Sequence, residues 1–257
     1  MTNNGRPFGT DQQLVSALGT LAAPAPPGLA DRVFTRWASA PSRLGDVFVA
    51  FTDRGVQFLR PAGEGDADGF ADAYHRRFAR PLQPAARLPA GVLPALRGRQ
   101  ARALTLDLAG LSEFERAVLA ATRRIPAGQT RPYGWVAREA GSPRAVRAVG
   151  SVLARNPVPL LVPCHRVVRA DGAVGDYMFG APSKEQLLRD EDVDLDGVRA
   201  LARGGVRYLA SDTTGVFCFP TCRDARRITP AHRHGFRTVS TAEAAGYRPC
   251  LHCRPAA

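Results

Sequence analysis

Four of the five cysteines fall in two close pairs near the C-terminus, Cys218-x3-Cys222 and Cys250-x2-Cys253, separated by 27 residues. No other feature restricts the fold of the last 55 residues as much. A segment that short buries too little apolar surface to hold itself together and needs a staple. Four thiolates at this spacing suit a closed tetrahedral zinc site. Disulfides are the competing use. The cysteine count is odd, however, and the start from Met1 to Thr10 is polar, without the apolar core of a signal peptide. The chain therefore reads as cytoplasmic, where metal binding or reactive thiols are expected before disulfides. No run approaches the roughly 18 apolar residues of a membrane span. His232 and His234 lie between the pairs and are expected at the surface, because four sulfurs already close the shell.

The fifth cysteine, Cys164, stands alone in Asn156-Pro157-Val158-Pro159-Leu160-Leu161-Val162-Pro163-Cys164-His165-Arg166-Val167. Three prolines in seven residues are expected to hold this arm extended, since each fixes φ and restricts the residue before it. A free cysteine is usually a small buried apolar residue. One delivered by a stiff arm beside an imidazole is placed for nucleophilic chemistry.

Charge narrows the partner. The 257 residues carry a formal net charge of +12, and 34 of the 35 basic residues are arginine. Arginine is the better fork for phosphates and base edges. From Arg116 to Arg169 there are ten arginines and a single acid, Glu139. The segment from Arg203 onward has nine arginines against Asp212, Asp224 and Glu243. Solvated faces usually mix signs, so both stretches point to nucleic acid.

The earlier chain reads as scaffold. Two short helices are expected over residues 10–38, from the Thr10/Gln13 capping pair, the breaks at Pro24, Pro26 and Pro27, and the helical spacing of Leu29, Val33, Phe34 and Trp37. A hairpin is expected over 46–60, turning at Thr52-Asp53-Arg54-Gly55. A helix carrying Phe70, Tyr74 and Phe78 follows, and Leu104, Leu106 and Leu108 alternate as a short closing strand. Ser112 with Glu115 forms a capping box for a helix to about Arg124. Further helices over about 133–140 and 144–155, joined through Gly141-Ser142-Pro143, complete the outline of a helix-turn-helix. In the last of these, small residues flank Arg147 and would let a backbone approach closely.

Several of these stretches together resemble the O6-alkylguanine-DNA alkyltransferases: Gln129-Thr130-Arg131-Pro132-Tyr133-Gly134, Arg144-Ala145-Val146-Arg147-Ala148-Val149-Gly150, Asn156-Pro157-Val158-Pro159, Pro163-Cys164-His165-Arg166-Val167-Val168, Gly172-Ala173-Val174-Gly175-Asp176-Tyr177 and Lys184-Glu185-Gln186-Leu187-Leu188. The similarity covers about residues 106–193. It implies double-stranded DNA with alkylated guanine as partner, a flipped base, and transfer of the alkyl group to Cys164. It further implies Arg144, Ala145 and Arg147 at the DNA, Arg147 as an inserted finger, and Tyr133 crowding a phosphate. His165 would take the thiol proton through a bridging water, with Glu191 orienting it and Asn156 bracing the site. Val167, Tyr177 and Met178 would shape the substrate pocket. Met178-Phe179-Gly180-Ala181 and Asp176 depart from the family pattern, which bears on the alkyl groups that fit. A thioether product has no leaving group for water, so one turnover per molecule is implied.

The C-terminal stretch Thr213-Thr214-Gly215-Val216-Phe217-Cys218-x-Pro220-x-Cys222, with Ala244-Ala245-Gly246-Tyr247-Arg248-Pro249-Cys250-x-x-Cys253, is similar to the Ada-type metal-binding domain. That resemblance implies zinc on Cys218, Cys222, Cys250 and Cys253, no organic cofactor, and Cys218 as acceptor of methyl from backbone methylphosphotriesters. No AraC-type activator segment is read in this chain, and the order of the two modules is reversed. The expectation is an α/β N-terminal domain (1–105), a helical winged helix-turn-helix alkyltransferase domain (106–200) and a small α+β zinc domain (201–257). The chain would be a monomeric, single-turnover methyltransferase of DNA repair with no membrane partner. The competing readings make the zinc module a DNA clamp, or the chain a methylation-sensing regulator.

Overall fold

The structure is a computed structural model that describes residues 19, 26, 28, 29, 33–99 and 104–256. Strands β1 (Thr35–Ser42), β2 (Gly45–Thr52) and β3 (Gly55–Pro61) form an antiparallel meander, and β4 (Leu82–Pro84) joins β1 in parallel, giving the order β3-β2-β1-β4. The expected hairpin and its turn are β2 and β3. Helix α1 (Ala67–Phe78) lies across one face, started by the Asp66 side chain, which accepts from Gly69 N at 2.8 Å. Its Phe70 and Tyr74 are buried against Trp37 and Phe58.

Most of the two helices expected over residues 10–38 lies outside the described residues. From Thr35 the chain departs from that expectation, because it is strand β1. Trp37 stands opposite Ala50 in the sheet and its ring meets Phe48 edge-on at 5.3 Å. Seven residues of pairing with β2 outweigh a helical spacing that was local only. The expected strand over Leu104, Leu106 and Leu108 reduces to one bridge, Val56 to Leu106. Gly55, at φ 137°, permits it, since a Cβ there would sit 2.5 Å from Thr105 O.

Short helix α2 (Val92–Leu96) leads into α3 (Glu113–Arg123), α4 (Tyr133–Glu139) and α5 (Val146–Ala154), which pack on one another. The Ser112/Glu115 capping box is formed in full. Two-residue strands β5 (Arg131–Pro132) and β6 (Val167–Val168) pair in parallel, bringing the start of α4 beside the segment after Cys164. Helix α6 (Gly180–Arg189) precedes α7 (Leu195–Arg203), whose cap is Asp194. The C-terminal residues form a second sheet, β10-β8-β7-β9, from β7 (Tyr208–Ser211), β8 (Val216–Cys218), β9 (Arg233–Phe236) and β10 (Arg248–Pro249), with α8 (Val239–Ala244) against it.

One apolar core runs from Val47 through Val136 and Val158 to Phe219 and Cys253, so the three regions share their interior. Among the described residues no helix is long and apolar enough to cross a membrane.

Candidate functional site

The proline-rich arm does not run extended. It doubles back, with Val162 N donating to Val158 O at 2.9 Å and Leu160 in the left-handed region at φ 67°. The Asn156 side chain explains the reversal. Its Oδ1 accepts from Val158 N at 3.0 Å, and its Nδ2 donates to Val162 O at 3.1 Å and to Cys164 Sγ at 3.3 Å. One amide thus closes the turn and touches the thiol at its end. The preorganisation that the prolines suggested comes from a folded turn, and proline restriction alone did not reveal it. Leu59 N, donating to Pro157 O at 2.8 Å, fastens the arm to the N-terminal sheet.

Cys164 opens a single 3-10 turn with His165 and Arg166. The thiol is 4% exposed and burial pushes it up, opposed by the Asn156 donor and the Lys184 charge. His165 is fully buried, and its Nε2 donates to Glu191 Oε1 at 3.0 Å. That leaves Nδ1 as the acceptor nitrogen, and it has no hydrogen-bond partner among the described residues. Burial, against the pull of Glu191, brings His165 down to about 4.

Glu191 is held by four residues. It accepts from Arg43 Nη1 at 2.9 Å, from Arg166 Nε and Nη2 at 2.8 and 2.9 Å, and from Gly128 N at 3.2 Å, besides His165. Against the opposing effect of burial, His165 and Arg166 hold its carboxyl well below the usual range. Gly128 has φ 71°, and a Cβ there would lie 2.6 Å from Glu191 O, so this close approach requires glycine.

The low value of His165 gives a signed expectation. The folded protein keeps the ring neutral down to about pH 4, whereas the unfolded chain protonates it from about 6.5. Stability present above pH 6.5 is lost as pH falls toward 4, by about 3 kcal/mol from this group. Denaturant unfolding at the two pH values should show that much extra loss in the parent relative to His165→Gln. Equal pH dependence in both proteins would contradict it.

A cavity of about 790 Å³ opens on Cys164 and is walled by Tyr133, Arg147, Tyr177 and Met178. Of the remaining sequence-predicted residues, Val167 is fully buried in β6 and forms no part of the wall, and Arg144 is exposed just before α5. Ala145 caps α5 outside the cavity. Sequence reasoning missed the charged frame. Arg43 and Arg166 on Glu191 are one part of it. Lys184 is another, fully buried, with Nζ donating to Asp176 O at 3.2 Å. Burial brings this lysine down to about 8. Lys184 and Arg166 lie in stretches that carry the resemblance, but no role was assigned to either there.

The second cluster lies in the C-terminal region. The sulfurs of Cys218, Cys222, Cys250 and Cys253 are within 4.8 Å of one another, all buried, and none is in a disulfide. Zinc–sulfur bonds of about 2.3 Å in a tetrahedron put sulfurs about 3.8 Å apart, so the four fit that ion. His232 and His234 are exposed and bond Asp212 at 2.8 and 3.3 Å. A cavity of about 580 Å³ is bounded by Cys218 and Cys250 together with Arg227, Arg248 and Thr213.

The two clusters are joined by an interface. Trp135 Nε1 donates to Cys253 O at 3.0 Å, Arg138 to Pro255 O at 3.1 Å, and Thr130 N to Thr221 Oγ1 at 2.9 Å. Arg226 donates to Gly128 O, and Arg254 pairs with Glu139.

Comparison with known proteins divides the chain at the same place. Residues 113–193 match the family of the 6-O-methylguanine DNA methyltransferase DNA binding domain, and residues 200–256 match the metal binding domain of Ada. Two separate stretches of the chain are thus similar to two domain families. Zinc is accordingly the ion of the C-terminal cysteine site. The bifunctional transcriptional activator/DNA repair enzyme Ada of Escherichia coli is 36% identical over 166 residues, which is 63% of this chain and 46% of that protein. A methylated-DNA–protein-cysteine methyltransferase of Methanothermobacter thermautotrophicus is 48% identical over 92 residues, covering 36% of this chain and 51% of that one. The chain spans about half the length of these curated relatives. Mycobacterium tuberculosis OGT, solved in complex with DNA, superposes with a TM-score of 0.51 at 28% identity, over 64% of this chain and 98% of that one. This likeness to a methyltransferase-family structure bears on the fold ahead of the zinc domain.

Proposed function

We propose that this chain repairs O6-alkylguanine in double-stranded DNA by moving the alkyl group to Cys164, once per molecule. The observation that carries the reading is the cavity on Cys164, with Arg147 and Tyr133 on its wall. Its volume of about 790 Å³ falls within the roughly 300–1,000 Å³ of small-molecule sites. A base turned out of the helix fits there while Arg147 fills the gap it leaves.

The chemistry follows from the surroundings. Burial keeps Cys164 a thiol at rest. Its proton passes through a bridging water to His165 Nδ1, and the Glu191 carboxylate stabilises the imidazolium that forms. Asn156 Nδ2 and the Lys184 charge stabilise the thiolate. The sulfur–carbon bond forms as the carbon–O6 bond breaks, and the electron pair leaves on O6. The thioether cannot be hydrolysed, so the protein is consumed.

Cys218 is proposed as a second acceptor, of methyl from phosphotriesters, because it opens on the cavity with Arg227 and Arg248. Zinc, when bound, holds the four sulfurs as thiolates while leaving one nucleophilic. The division of labour is a scaffold in residues 1–105, guanine repair in 106–200 and phosphotriester repair in 201–257, acting as a monomer on DNA. Mass spectrometry of the Cys164 and Cys218 peptides, after incubation with DNA carrying each lesion, tests both assignments. Methyl on Cys164 alone reduces the zinc domain to a clamp. An unlabelled Cys164 ends the guanine reading, and promoter-specific binding by the methylated protein would favour a regulator.

Asn156→Ala removes the donor to the sulfur and should slow single-turnover transfer by about 100-fold. Rapid-quench assays measure the rate, and a melting curve confirms that the protein stays folded. An unchanged rate would remove Asn156 from the machinery.

A further inference from the structure

Arg131 is only 2% exposed. Its guanidinium donates to Thr130 O at 2.8 Å and to Gln129 Oε1 at 2.7 Å, both neutral acceptors, and its Nε has no partner among the described residues. Among the described residues no carboxylate pairs with it. Burial opposes its charge, and the titratable groups placed to favour that charge are the four cysteines of the C-terminal domain. A guanidinium cannot shed its charge on burial, and an uncompensated buried charge is strongly destabilising. Four neutral thiols would offer it nothing. Four thiolates around one divalent ion carry a net double negative charge, which compensates a cation lodged beside them.

We propose that Arg131, from the methyltransferase domain, is the counter-cation of the zinc–tetracysteine centre, and that this pairing fixes the C-terminal domain onto the loop that supports Cys164.

The packing agrees with it. The guanidinium carbon lies 5.3 Å from the Phe219 ring, next in sequence to Cys218, and 5.7 Å from the Trp135 ring. Trp135 itself donates to the carbonyl of Cys253, a zinc-ligating residue. The loop that carries Arg131 is shared with the other centre. Gly128 N donates to Glu191, while Gly128 O accepts from Arg226 of the zinc domain. Arg131 and Pro132 pair with Val167 and Val168, immediately after the Cys164 turn. Zinc therefore anchors the loop whose Gly128 N holds Glu191, the partner of His165.

The inference rests on zinc filling the cysteine site, and its test separates the two. Zinc affinity is measured by chelator competition on the full chain, for the parent, Arg131→Met, Arg131→Gln and Thr221→Val. Arg131→Met should weaken zinc by about 10- to 100-fold, and Arg131→Gln, which keeps a polar group without the charge, by a similar factor. Thr221→Val loses only neutral interface hydrogen bonds and should cost less than about fivefold. Amide exchange over residues 128–132 of the zinc-loaded protein should accelerate in both Arg131 variants. Zinc bound as tightly by both variants as by the parent would overturn the pairing, as would a loss in Thr221→Val equal to that in Arg131→Met. A parent that binds no zinc would overturn the metal centre itself, and is recognised before any variant is compared.

Discussion

Cys164→Ala should accept no methyl from O6-methylguanine DNA, with transfer falling by about 10,000-fold or more, while the fold survives. The sulfur is the proposed nucleophile, so nothing replaces it. Its removal deletes one small buried group, and Asn156 Nδ2 keeps its bond to Val162 O. The structural cost is about 1 kcal/mol, too little to unfold a domain whose core extends on all sides of the turn. Labelled-methyl transfer to protein, read beside a melting curve, separates chemistry from folding. On DNA bearing only phosphotriesters, the same variant should still take label on Cys218. Retained guanine repair in the variant would place the acceptor elsewhere.

Stripping zinc, or replacing Cys222 by alanine, should unfold residues 200–256. Zinc contributes on the order of 10 kcal/mol to small tetracysteine domains. The apolar residues buried here outside the shared core are few, chiefly Ala210, Phe217 and Ala242. The loss should be visible from the other domain, because the Trp135 indole hydrogen-bonds the Cys253 carbonyl. Tryptophan emission should shift to the red on chelation and return when zinc is restored. Trp37 reports on the N-terminal sheet and should not follow. Unchanged emission and far-ultraviolet circular dichroism after complete metal removal would show that the cysteines are not the staple.

Much of the local structure was readable from neighbouring residues. Alternation gave the hairpin over 46–60, and Ser112 with Glu115 gave the start of α3, because both depend on residues a few positions apart. The cysteine spacing gave the second cluster, since two close pairs suit a single four-sulfur metal shell. Strand β1 was read as helix because its partner β2 must be in place before it exists. Helix α7 was not anticipated, although Asp194 caps it by accepting from Gly197 N. The reversal at Leu160 was hidden because it depends on three bonds from one asparagine. Around Cys164, the residues flanking the cysteine and the aromatic and basic positions were indicated in the sequence. Arg43 on Glu191 was not, being 148 residues away, and neither was Arg131 against the zinc domain.

The carboxylate of Glu191 is gripped from three directions: by Arg43 of the N-terminal sheet, by Arg166 beside the reacting cysteine, and by a backbone amide whose own carbonyl is held by Arg226 of the zinc domain. Such a knot makes the modules poor candidates for exchange. A chimera that borrows the central helices without their original neighbours would carry the sulfur and its histidine yet lose Arg43 from the acid and Arg226 from the loop behind it. Evolution of such a protein is then expected to proceed by joint adjustment of all three regions.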